Sequence, residues 1–138
     1  MRILGLDLGK KNIGVAISDE FGWSAQGLTT LTWKNREELL GKLSSIIAEY
    51  KAEQIVLGLP RNMDGSLGPQ AESTMSFGEK LKANFNLPLT YWDERLSTVA
   101  AERTLLEANL SRRKRKKVID KLAAVHILQG YLDSRGKQ

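Results

Sequence analysis

The sequence predicts an α/β fold: a mixed five-stranded sheet in the order 3-2-1-4-5, with strand 2 antiparallel, flanked by helices. Three observations predict it. Residues 1 to 33 hold three β-like runs joined by short polar turns. The rest of the chain alternates helical and strand-like patterns. A tight turn makes neighbouring strands antiparallel, whereas a strand–helix–strand unit crosses over right-handed into a parallel pair.

The chain is organised around Ile3-Leu4-Gly5-Leu6-Asp7-Leu8-Gly9, an apolar run bounded by glycines that reads as a short buried strand. After the polar turn Lys10-Lys11-Asn12, Ile13 to Asp19 alternates large and small residues with the period of a second strand. Phe21-Gly22-Trp23 turns the chain again, and Ala25 to Trp33 has the Thr/Leu content of a third strand. Asn35 is placed to cap a helix, with Glu37 and Glu38 in its first turn. Leu39, Leu40, Leu43, Ile46, Ile47 and Tyr50 then recur at helical spacing. Gln54 to Leu59 is a buried strand, and Pro60 to Gly68 a loop with turn chemistry at Asp64-Gly65.

Pro69 suits the first position of a second helix, with Ala71, Met75, Gly78, Leu81 and Phe85 as its apolar face and Asn86 as its end. Leu87 to Trp92 is a fifth strand, and Pro88 near its start suits a sheet edge. Ser97 or Thr98 caps a third helix running to about Ala108. Ser111 precedes a last helix through about Leu132, and Ser134 to Gln138 reads as a frayed tail. With strand 1 central, order 3-2-1-4-5 meets every connection rule. Ligands in such sheets gather beyond the carboxyl ends of the parallel strands, toward which Asp7 and Glu94 both lie.

The 138 residues suit a single domain, 1–138, with a real core; 41% are hydrophobic and 27% charged, ordinary for a globular chain. There is no cysteine, which removes disulfides and thiolate metal sites, and His126 is the sole histidine. Any metal must therefore be held by oxygens, which favours Mg²⁺ or Mn²⁺. Asp7 breaks an N-terminal apolar run already too short for a signal peptide, and no stretch is long enough to span a bilayer. The expectation is a cytoplasmic protein without membrane contact. A net charge of +5 and a pI of about 9.6 point to a polyanionic partner.

Two carboxylates carry chemistry by their position. Asp7 sits in an apolar strand, where an ionised group needs a partner or a metal. A cationic partner and a metal both satisfy that need. Asp120 shares a helix face with Ala124, Ile127 and Tyr131, which directs it to the sheet; the ordinary alternative is an Asp stabilised by the helix dipole. Shortly before it, Arg112-Arg113-Lys114-Arg115-Lys116-Lys117 is an unbroken run of cations that leads into Val118-Ile119-Asp120. Such a run is commonly a solvated face. The tryptophans Trp23, Trp33 and Trp92 read first as core residues.

The pattern resembles the YqgF family of RNase H-like proteins, Holliday-junction-resolvase-like nucleases also proposed to mature the 5′ end of pre-16S rRNA. The residues that carry the resemblance are Gly5-Leu6-Asp7-Leu8-Gly9 with Ile13-Gly14-Val15-Ala16, then Gly58-Leu59-Pro60, Asp93-Glu94-Arg95-Leu96-Ser97-Thr98, and Asp120-Lys121-Leu122-Ala123-Ala124 with Ile127-Leu128. They run from the first strand to the last helix. The first motif alone is weak, because sugar-kinase and actin-like ATPases open similarly. Its combination with the Asp93-Glu94-Arg95 and Asp120 motifs is specific.

The resemblance implies an RNase H-like fold and a catalytic, metal-binding set of Asp7, Glu94 and Asp120 holding two Mg²⁺ (or Mn²⁺) ions, with Asp7 between them. Of the adjacent pair Asp93 and Glu94, strand alternation admits one to the site, and the family match favours Glu94. Lys10, Lys11, Arg61, Arg95, Arg112, Arg113, Lys114, Arg115, Lys116 and Lys117 would then hold phosphates. The implied function is a metal-dependent hydrolase cutting phosphodiester bonds in structured RNA or branched DNA, in pre-16S rRNA processing or as a four-way-junction resolvase. A non-catalytic nucleic-acid-binding module on the same fold is the rival, and a small ATPase or sugar-kinase-like fragment a more distant one. RNA or DNA, and monomer or dimer, stay open.

Overall fold

The computed structural model describes residues 1–96 and 112–136, with side chains for 1–96 and 118–135. Its sheet runs β3-β2-β1-β4-β5, from β1 (Arg2–Leu8), β2 (Asn12–Ser18), β3 (Ala25–Thr32), β4 (Ala52–Leu59) and β5 (Leu89–Asp93). β2 is antiparallel to β1 and β3, whereas β4 is parallel to β1 and β5. The expected order, the antiparallel second strand and the edge place of the fifth are all found.

Local chemistry sets the helices. Asn35 accepts a 2.9 Å hydrogen bond from the Glu38 amide and caps α1 (Arg36–Tyr50). Pro69 opens α2 (Pro69–Phe85), where its missing N–H costs nothing. Lys51 and Asn86 end these helices in the left-handed region, at φ 55° and 52°. The final helix, α3 (Arg112–Gly136), outruns the expected end at Leu132, so Ser134 and Arg135 belong to it rather than to a frayed tail. The expected helix from Ser97 or Thr98 to Ala108, and Ser111, lie outside the described residues.

The sheet buries both faces. One carries Leu4, Leu6, Ile13, Val15, Ile55 and Leu57 against α1 and α2. The buried face of α2 is Ala71, Thr74, Phe77, Gly78 and Leu81. Phe77, not Met75, reaches the core, because the row 71-74-77/78-81 mixes steps of three and four. The other face carries Ile3, Ala16 and Val56 against Ala123, Ala124, Ile127, Leu128 and Leu132 of α3. Truncating Phe77 to Ala would cost about 3–5 kcal/mol, the usual loss for a buried aromatic.

Small residues let α3 close on its face. A Cβ added at Gly5 would stand 2.7 Å from the Leu128 Cβ. Strand alternation puts Gly5 and Asp7 on this α3 side, and Leu4, Leu6 and Leu8 on the other. Among the described residues, no helix is long and apolar enough to cross a membrane.

Candidate active site at the carboxyl ends of the parallel strands

Asp7 sits near the carboxyl end of the central strand and is 4% exposed. It is paired across the antiparallel ladder with Gly14 on β2. On its other side the parallel ladder runs Gly5 with Val56 and Leu6 with Leu57, so Gly58 comes next in register with Asp7. Asp7 thus has a glycine on each flank.

The space above each glycine is filled. A Cβ at Gly14 would collide with the backbone carbonyl of Asp120. A Cβ at Gly58 would lie 3.0 Å from Oε1 of Glu94, and would also strike Cδ1 of Ile127. Glycines at 14 and 58 therefore admit α3 and the Glu94 carboxylate to the sheet surface on either side of Asp7. Asp120 is 9% exposed and Glu94 half-buried. Ala124 and Ile127, on the same side of α3 as Asp120, are fully buried, as the helix periodicity predicts. The three carboxylates share one face and one end of the sheet. Among the described residues, no three acidic, histidine or cysteine side chains form a ready-made cage for a metal ion.

Asp93 and Glu94 part company. Asp93 ends β5 in alternation with Trp92, which packs on the α3 side, so Asp93 belongs with Leu89 and Tyr91. It accepts from the Arg95 backbone amide at 3.0 Å and from Nη2 of Arg95 at 2.7 Å. Nε of Arg61 approaches it to 3.9 Å. The Arg95 hydrogen bonds hold its carboxyl below the usual range, and the nearby Arg61 charge adds to them, against partial burial. Glu94 opens a single 3₁₀ turn, Glu94–Leu96.

The expected phosphate-binding cations distribute around this end. Lys10 and Lys11 are exposed at the β1–β2 tip, closed by a 2.8 Å hydrogen bond from the Gly9 amide to the Asn12 carbonyl. Arg61 leaves β4, and Arg95 sits in the 3₁₀ turn. Arg112 to Lys117 form the start of α3, the turn before Asp120; their side chains lie outside the described residues. Trp23 is not a core residue. It is 77% exposed beside Phe21, at the end of the sheet far from Asp7. Sequence reading misses the double flank of glycines, although glycine inside a strand is a known sign of close approach. It also misses the ion pair between Asp93 and Arg61, which are far apart in the chain and leave no local signal.

A family model described as "RuvX: Holliday junction resolvase" matches residues 1–134. A protein of Moorella thermoacetica named "Putative pre-16S rRNA nuclease" is 57% identical over 137 residues, covering 99% of this chain and 98% of its own. A Bacillus subtilis protein of the same name is 55% identical over 136 residues, covering 97% and 99%. Among solved structures, Thermus thermophilus RuvC in complex with a Holliday junction substrate superposes with a TM-score of 0.59 at 10% identity, covering 99% of this chain and 96% of that one. The fowlpox virus resolvase, bound to Holliday junction DNA, gives 0.56 at 13%, covering 98% and 99%. At such identities these two report the fold, which is RNase H-like.

Proposed function

The chain belongs to the RuvX Holliday junction resolvase family, and from that membership we propose that it is a metal-dependent nuclease that hydrolyses phosphodiester bonds at the 5′ end of pre-16S rRNA in the cytoplasm. The observation that carries the reading is the pair of glycines beside Asp7, each giving its space to an element that bears another carboxylate. Nothing in core packing calls for acidic residues on both sides of a buried Asp.

The donor set fits Mg²⁺ or Mn²⁺, because Asp7, Glu94 and Asp120 offer only oxygens. Such ions are commonly completed by substrate phosphates rather than by an all-protein cage, which suits three carboxylates that share a face without closing around a point. Bound there, two divalent ions would lower the pKa of an attacking water and neutralise the leaving oxygen. Asp7, on the central strand, fixes the centre. Glu94 and Asp120 flank it, one on a turn and one on a helix packed against the sheet. Lys10, Lys11, Arg61, Arg95 and the run Arg112 to Lys117 hold backbone phosphates, which positions a nucleic acid without reading its bases.

The test is cleavage of a pre-16S rRNA fragment in Mg²⁺, in Mn²⁺ and in EDTA, with Asp7→Asn as control. Metal-dependent cutting that disappears in the variant supports the reading. Binding without cutting leaves the non-catalytic module. The family description favours a second substrate, a four-way DNA junction, which is assayed alongside; its symmetric cleavage would require two copies of the chain.

A further inference from the structure

Asp93 ends the strand whose next residue is Glu94, yet it faces away from Asp7. Its carboxylate is the meeting point of two segments. Toward its own turn, Oδ1 accepts from the Arg95 amide at 3.0 Å, and both oxygens accept from Nε of Arg95 at 3.1 Å. Nη2 of Arg95 donates to Oδ2 at 2.7 Å. This is a two-oxygen grip on a planar guanidinium, the strong form of such a pair.

Toward the β4–α2 loop, both arginines reach further. Nη1 of Arg95 donates to the Met63 carbonyl at 3.4 Å, and Nη1 of Arg61 donates to the Gly65 carbonyl at 3.1 Å. The loop is itself braced. The Gly65 amide donates to the Asn62 carbonyl at 2.9 Å, and the Ser66 amide and hydroxyl both donate to Oδ1 of Asp64, at 2.9 and 2.6 Å. Gly65 has φ +89°, and Arg95 lies against it: an added Cβ would meet Nη1 at 3.3 Å. A hydrogen-bonded loop, two guanidiniums and one carboxylate therefore hold the turn on which Glu94 begins.

We propose that Asp93 is a positioning residue: it locks the Glu94 turn to the β4–α2 loop through Arg95 and Arg61, and so fixes where the Glu94 carboxylate stands over Gly58. The proposal rests on the nuclease reading for its kinetic consequence and on geometry alone for the lock. Breaking the lock lets Glu94 drift without removing it. Displacements of about 1 Å in a catalytic group cost up to about 100-fold in rate. Asp93 also offsets the charge of Arg61 and Arg95, so its removal should not weaken nucleic-acid binding.

The experiment compares wild type, Asp93→Asn and Glu94→Gln on pre-16S rRNA and on a four-way junction. Asn keeps one oxygen for the Arg95 amide, so the turn can form, but it cannot grip a guanidinium with two. The expected result for Asp93→Asn is a kcat lower by about 10- to 100-fold, as for other residues that orient a ligand. KM and binding affinity should be unchanged or improved. Arg95→Lys should reproduce the fall in kcat, and the double variant should be no slower than the slower single one, because both break one unit. Unchanged kcat with a lowered melting temperature would reduce Asp93 to a structural role and overturn the proposal. So would loss of all cleavage in Asp93→Asn with Glu94→Gln largely active, since Asp93 would then be the catalytic group. If wild type cuts neither substrate, the nuclease reading fails by itself. Amide hydrogen exchange then decides the lock: faster exchange at Gly65 and Arg95 in Asp93→Asn upholds it, and unchanged exchange overturns it.

Discussion

Oε1 of Glu94 lies 3.0 Å from the point that a Cβ on Gly58 would occupy, so a methyl group there crowds the carboxylate. Both contacts are with side-chain ends, Oε1 of Glu94 and Cδ1 of Ile127, rather than with backbone. Gly58→Ala should therefore fold, at a cost of about 1–3 kcal/mol for overpacking, and cleave slower by about tenfold or more, on the order of a displaced catalytic group. Gly14→Ala differs in kind. Its Cβ meets the Asp120 backbone, which cannot rotate aside. The whole of α3 must shift, so the cost should reach the top of that range or beyond it. Thermal melts and single-turnover cleavage of the two variants check the contrast: Gly58→Ala loses activity ahead of stability, Gly14→Ala loses both.

Much of this is legible in the sequence, because short-range rules decide it. Hairpin turns and two helical crossovers fix the strand order, and Asn35, Pro69 and Asn86 mark helix ends by their own chemistry. Asp120 is aimed at the sheet by its spacing to Ala124 and Ile127. What the sequence hides is of two physical kinds. Apolar spacing on α2 suggests steps of four from Ala71 to Met75, whereas Thr74 and Phe77 follow steps of three, and helical phase is easily mistaken where Gly and Thr are buried. Asp93 cannot be told from Glu94 by local pattern, because Arg95 stands close in sequence to both and the second partner of Asp93, Arg61, lies across a loop and two elements. Trp23 defies its expected burial because bulk and apolarity predict burial only on average.

Asp7→Asn should abolish cleavage in Mg²⁺ and leave nucleic-acid affinity within a few-fold, since the residues proposed to hold the phosphates are others. A second readout does not need substrate. Mg²⁺ that binds only the folded state stabilises it by mass action, about 2.7 kcal/mol at a hundred times its Kd. Wild type should therefore melt higher in Mg²⁺ than in EDTA, and Asp7→Asn should show a smaller rise. Equal rises in the two proteins would remove Asp7 from the proposed cation site.

The β2–β3 turn offers a pH prediction away from the site. Asp19 is held below the usual carboxylate value, first by the hydrogen bond it accepts from the Trp23 amide at 2.8 Å, and also by the Ser24 hydroxyl. A folded pKa below the unfolded one means that the carboxylate stabilises the fold above the unfolded value. That contribution fades as pH falls through the folded pKa. The Trp23 amide resonance should thus titrate with a midpoint below the ordinary value of 3.8. In Asp19→Asn the amide bond can persist, but that titration should vanish. A midpoint above 3.8 in wild type would refute the assignment.

The basic run that opens α3 separates a working surface from a solvated one. Arg112 precedes Asp120 by eight helical positions, roughly 12 Å along the axis at 1.5 Å per residue. The run therefore leaves the sheet at the end where Asp7 lies, which is the end of the proposed cleavage site. Replacing Arg112, Arg113, Lys114 and Arg115 with Ser should weaken binding to all sequences alike, because cations on phosphates carry no base information. A phosphate that no cation neutralises keeps its counterions when the protein binds. The slope of log affinity against log salt should therefore flatten by about 0.7 for each such phosphate on single strands and about 0.9 on duplex DNA. Cleavage of bound substrate should persist, since the carboxylates are untouched. A slope unchanged between about 50 and 200 mM salt would make these four residues a solvated helix face. Phosphate binding would then fall to Lys10, Lys11, Arg61 and Arg95 around the carboxyl ends of the strands.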